Sequence, residues 1–253
     1  MTSQHTSEQI PENNVGTVET DGFLSPEIEG FRERVRKRYS DLIGEFVEVS
    51  RRATTQVFAQ EIANPTVPRV IAASLWARCL SGSQAAVLLA ERGMGVDAIA
   101  LLRTAYENLF FAAALVKRPS VIARLAGEDT NQRIKQAEAM LKDAQILAAL
   151  TDADRERLQE FLRDTPAGNK SINAFEAAEI AEMTGVYQGA WRTFSLIAGH
   201  ATLTTAGHAF SRNLLDLQFG PSFEHIEAAV GLARDCIQLG IEAVAPLFTV
   251  EQT

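Results

Sequence analysis

From Val96 to Val116 the chain runs for 21 residues without a proline or a glycine, and its only charges are Asp97, Arg103 and Glu107. A largely apolar run of that length either crosses a bilayer or forms the central helix of a helical protein, because strands are far shorter. Arg103 and Glu107, at its centre, decide between the two. Two charges at a bilayer midplane are costly, and the flanks carry no belt of Trp or Tyr. The expectation is therefore a buried core helix and no membrane partner.

Composition carries the same conclusion to the rest of the chain. The 253 residues include 38 alanines and 24 leucines against 8 prolines. Alanine and leucine are strong helix formers, and alanine is depleted from strands. No segment alternates as a half-buried strand would, and no repeat is visible. The predicted fold class is all-α: an antiparallel helical bundle of about six to eight helices.

Residues 1–22 have no apolar period, and they hold Glu8, Glu12, Glu19 and Asp21 with no Lys or Arg. A disordered polar tail is expected there, with 23–253 as one helical-bundle domain. Ser25, Pro26 and Glu27 read as an N-cap, a first-turn proline and a first-turn acid. They open a helix predicted to run to about Ile62. Pro65 and Pro68 end it, a second helix runs to about Glu91, and Gly93 and Gly95 separate that from a third, from about Val96 to Lys117. One or two amphipathic helices are predicted between Ser120 and Asp164, interrupted near Gly127, with a short helix over about 154–163. Residues 165–173 read as a loop, followed by helices over about 174–182 and 186–202. A mixed segment covers 207–221, and a last helix extends from about Ser222 to Phe248.

The formal charge is −8, and half of it belongs to the tail. The body is thus only mildly acidic, which disfavours broad binding to a phosphate backbone. The basic run from Arg32 to Arg38 contains Glu33 and is followed by Asp41 and Glu45, so it reads as a solvated helix face. Cys79 and Cys236 are too few for a disulfide framework and stand in no metal-binding spacing. Both read as buried apolar side chains in a reducing compartment. The N-terminus lacks the basic and apolar regions of a secretion signal, and cytoplasmic residence is the expectation. The histidines are His5, His200, His208 and His225, with no Glu-x-x-His pair, P-loop or dinucleotide fingerprint, so neither a metal nor a cofactor is predicted.

Two groups of polar residues remain. At about 100° per residue, Val96, Ile99, Ala100, Arg103, Glu107, Phe110 and Ala114 share one stripe. Arg103 and Glu107 are thereby predicted to point into the core as a buried ion pair, either a structural network or the lining of a polar pocket. The second group is Tyr187, Trp191, Ser195 and His200. Its aromatics share an apolar face with Phe194 and Ile197, which reads as core. Ser195 and His200 lie on opposite flanks unless the helix breaks at Gly199, in which case His200 can turn towards Arg103 and Glu107. The candidate catalytic residues are His200, Arg103 and Glu107; the candidate ligand-binding residues are Arg103, Glu107, Tyr187, Ser195 and His200.

The segment from Ala85 to Ala90, followed by Gly93 and then by Leu102-Arg103-Thr104-Ala105-Tyr106-Glu107, resembles the core helix pair of a bacterial all-helical family of unknown function. Tyr187, Ser195 and His200 resemble that family's second hallmark, and the resemblance spans roughly Val70 to Phe248. It implies a helical bundle in which Arg103, Glu107, Ser195 and His200 matter together, and it implies no established activity. The fold it implies is similar to the HEPN group of nucleotide-binding and ribonuclease bundles, whose nucleases carry an Arg and a His four to six residues apart on one helix. Here seven residues separate Arg192 from His200, a departure from that pattern. Three readings follow. The first is a binding or interaction module for a small molecule or protein partner. The second is a metal-independent ribonuclease acting on RNA, with His200 as acid–base and Arg192 or Arg103 on the phosphate. The third is an oligomeric scaffold such as a homodimer.

Overall fold

A computed structural model describes residues 16–59, 61–168, 170–199, 203–207 and 219–248. The fold is all-α, with no strand among the described residues. Within the stretch expected to be a disordered tail, Val18–Asp21 form a short helix whose Val18 N–H donates to the Glu27 carboxylate at 2.9 Å, and the Ser25 hydroxyl accepts the Glu27 N–H at 3.2 Å and donates to the Gly16 carbonyl at 2.8 Å. Helix α1 (Glu27–Arg38) follows, then α2 (Ser40–Ala59). The single helix expected to reach Ile62 is bent at Tyr39, whose φ of −115° and ψ of 31° leave the helical range. Tertiary contacts account for the bend. The Arg38 guanidinium lies over the rings of both Tyr39 and Phe223, at 5.3 and 4.9 Å, which lets α1 turn towards α3 while α2 follows the last helix.

The centre is a hairpin of α3 (Val67–Glu91) and α4 (Gly95–Lys117), close to the boundaries that proline and glycine predict. Gly93 makes the turn with φ of 82°, where a Cβ would also meet Pro221 at 2.6 Å and Phe31 at 2.8 Å. The last helix, α10 (Ile226–Val244), packs against α2, α3 and α4. Trp76, Leu102, Tyr106, Leu109, Phe110, Ile226 and Ile237 are fully buried between them. By length and composition α4 could cross a membrane. In the fold it is the core helix, packed against α3, α10 and the helical segments over 174–180 and 184–197.

Of the remaining helices, those over 121–142, 174–180 and 184–197 lie against α4, and the two between 144 and 164 pack on the first of them. Helix α5 (Val121–Lys142) passes through Gly127 without the expected interruption, and the chain at Gly168 lies against the Gly127 backbone. The break falls instead at Asp143, whose carboxylate accepts the N–H groups of Gln145 and Ile146 and caps α6 (Ala144–Ala149). Helix α7 (Asp152–Asp164) packs back on α5, and α8 (Ala174–Ile180) opens with a capping box between Asn173 and Glu176. Helix α9 runs over 184–197 and carries a π turn, Tyr187–Trp191.

Candidate functional site

The π turn builds the site. The Arg192 N–H bonds back five residues to the Tyr187 carbonyl, which widens the helix locally; such turns are frequent at functional sites. Widening brings residues four apart closer to alignment, and the Tyr187 and Trp191 rings stack at 4.7 Å with 17° between their planes. Phe110 and Phe175 close around Tyr187 at 6.1 and 5.3 Å. Phe194 is buried against Tyr106 at 5.4 Å, fixing α9 on α4.

Across this surface lies Arg103. Its Nε donates to the Ser195 hydroxyl at 3.0 Å, and its guanidinium sits 4.5 Å from the centre of the Trp191 ring. Ser195 in turn donates to the Trp191 carbonyl at 3.1 Å. The hydroxyl proton is therefore committed to the backbone and the oxygen accepts from an arginine, an arrangement that positions Arg103. Glu107 stands one turn along α4, its Oε2 3.8 Å from Arg103 Nη1 and outside hydrogen-bond reach.

Four predicted site residues, Arg103, Glu107, Tyr187 and Ser195, thus come together across the α4–α9 seam. His200 lies outside the described residues. Trp191, read from the sequence as core, is only half-buried and carries the arginine. Arg192 is exposed and donates to Gln188 at 3.1 Å. Among the described residues, no group of three or more His, Cys, Asp or Glu side chains could hold a metal ion.

One expectation is corrected. Arg103 and Glu107 are not a buried ion pair; their side chains are 27% and 38% exposed, at the rim between helices. The buried ion pair is Glu91, 3% exposed, which accepts from Arg32 Nε at 2.9 Å and from Arg36 Nε and Nη2 at 3.0 and 2.9 Å. The basic run read as a solvated face therefore ties α1 to the end of α3. Its signal is the four-residue spacing of Arg32 and Arg36 beside buried Phe31 and Val35. With Glu91, the Arg32 guanidinium is held above its ordinary pKa, chiefly by the Glu91 hydrogen bond.

A family model described as a family of unknown function (DUF5677) matches residues 69–214. No curated protein and no solved structure matches the chain.

Proposed function

The chain belongs to this family of unknown function, and from the site its matched segment builds around Arg103 we propose a binding protein that captures an anionic group, carboxylate or phosphate, at the α4–α9 seam. The observation that carries this reading is an arginine immobilised on two sides and still reachable: Nε is held by Ser195 and one face by Trp191, while the side chain keeps 27% of its surface. The two Nη groups form a fork suited to paired oxygens, and the entropy of ordering a long side chain is already spent before a ligand arrives. Glu107 adds an acceptor beside that fork and selects ligands that carry a hydroxyl or amine donor next to the anionic group.

Half-buried Trp191 is the reporter. Inorganic phosphate and acetate, titrated separately while tryptophan emission is followed, are expected to give a saturable change that Arg103→Met abolishes and Arg192→Met leaves intact. Comparing the two anions separates phosphate from carboxylate recognition. An unsaturable response to both, or one that survives Arg103→Met, would overturn the assignment.

A further inference from the structure

The chain holds two cysteines, 157 residues apart, and the fold places them in contact. Cys79 on α3 and Cys236 on α10 have their Sγ atoms 3.5 Å apart, and both side chains are fully buried. The helices are clamped at this level. One turn beyond Cys236, Gly240 lies so close to Trp76 that a Cβ would stand 2.0 Å from its ring. One turn before it, the Leu232 carbonyl accepts the Tyr106 hydroxyl at 2.9 Å, tying α10 to α4. Two further polar groups of α3 are buried at this level: the Ser83 hydroxyl, which hydrogen-bonds to the Cys79 thiol, and the Trp76 indole N–H, which has no hydrogen-bond partner among the described residues. The thiols therefore face each other inside the closed hydrophobic core.

We propose that Cys79 and Cys236 form a redox modification site, an intramolecular disulfide joining α3 to α10 that a peroxide makes and a low-molecular-weight thiol reverses. One cysteine sulfur attacks a peroxide oxygen, the O–O bond breaks, and a sulfenic acid and water result. The second sulfur attacks the sulfenic sulfur; the S–S bond forms, the S–O bond breaks, and hydroxide leaves with the second thiol's proton as water. Two thiols supply two electrons and two protons, and hydrogen peroxide is reduced to two waters.

The surroundings determine which product forms. Burial, and then the hydrogen bond with Cys236, push the Cys79 thiol well above its ordinary pKa, so the closed core disfavours the nucleophilic thiolate. Oxidation then proceeds through local opening of the α3–α10 seam. Once a sulfenic acid has formed, the neighbouring thiol reaches it before a second peroxide can enter, so the disulfide outcompetes sulfinic acid. A link across so long a loop restricts the unfolded chain and raises the melting temperature by roughly 5–15 °C.

The test uses the full chain, reduced and then exposed to hydrogen peroxide with and without urea below the unfolding transition. The protein is afterwards denatured, alkylated and weighed. The expected species has lost two hydrogen atoms, takes up no alkyl group, yields a linked Cys79–Cys236 peptide, melts higher, and regains two alkylatable thiols with dithiothreitol. Cys79→Ala is expected to give oxygen addition at Cys236 instead. Peptide mapping of the unmutated protein decides the matter should that variant fail to fold. Two free thiols in both arms, oxygen addition without the linked peptide, or a disulfide between chains would each overturn the proposal.

Discussion

Replacing Glu91 by glutamine is the sharpest perturbation of this fold, because one buried carboxylate joins α1 to α3 through three charge-assisted hydrogen bonds. Removing one partner of a fully buried ion pair costs about 3–5 kcal/mol, which sets an upper bound. The arginines lower it: Arg32 and Arg36 keep 23% and 52% of their side-chain surface, so both return to water when the carboxylate is lost. Glutamine also retains an acceptor oxygen. A net loss of about 2 kcal/mol follows for Glu91→Gln and about 3 kcal/mol for Glu91→Ala. In a domain of this size about 2 kcal/mol lowers the melting temperature by roughly 4–8 °C. The control is Glu107→Gln at the rim. Its loose, half-exposed contact with Arg103 is worth under about 0.5 kcal/mol, so melting should move by no more than about 2 °C. Calorimetric melts of the two variants side by side check the argument. If Glu91→Gln melts with the unmutated protein, or Glu107→Gln falls as far, the assignment of the buried pair is wrong.

Four further outcomes are expected. Gly231→Ala, where a Cβ meets nothing within 4 Å, should stabilise by about 0.5–1 kcal/mol through helix propensity. Gly240→Ala should destabilise by about 2 kcal/mol, since its Cβ would strike the Trp76 ring; chemical denaturation measures both. Glu176 is held below its ordinary pKa of 4.5, first by Arg124 and then by the Asn173 N–H. Its contribution is therefore present above that value and lost as pH falls through the depressed one. Glu176→Gln should accordingly flatten the acid limb of a stability–pH curve, and an unchanged limb would refute it. Ser195→Ala frees the Arg103 Nε and should weaken phosphate binding about fivefold in the fluorescence titration, with little change in melting.

The helix ends at Glu91, Gly95 and Lys117 were legible because proline and glycine act on their own backbone. The bend at Tyr39 was not, since the Phe223 ring that Arg38 covers comes from 185 residues further along the chain than that arginine. Glu91 was hidden for the same reason: a carboxylate at a helix end looks like any surface residue until partners 55 and 59 residues earlier arrive. The π turn left no trace either, because Tyr187 and Trp191 are four apart in either helical form.

The placement of Arg103 shows where angular reasoning fails. The stripe through Val96, Ile99, Ala100, Arg103, Glu107, Phe110 and Ala114 is real, but α4 is covered over most of its circumference by four helices, so its apolar residues do not mark one buried side. Along that stripe Ile99, Phe110 and Ala114 are buried, whereas Val96, Ala100, Arg103 and Glu107 are only partly covered. The two charges fall where α9 meets α4 and leaves an edge open. A long side chain at such an edge lays its stem on apolar neighbours and keeps its head near water. That position also makes a binding role physically workable, because an arginine sealed in the core would have every donor spoken for. At the rim, Ser195 and Trp191 hold the side chain in place while its outer edge stays open to an anion.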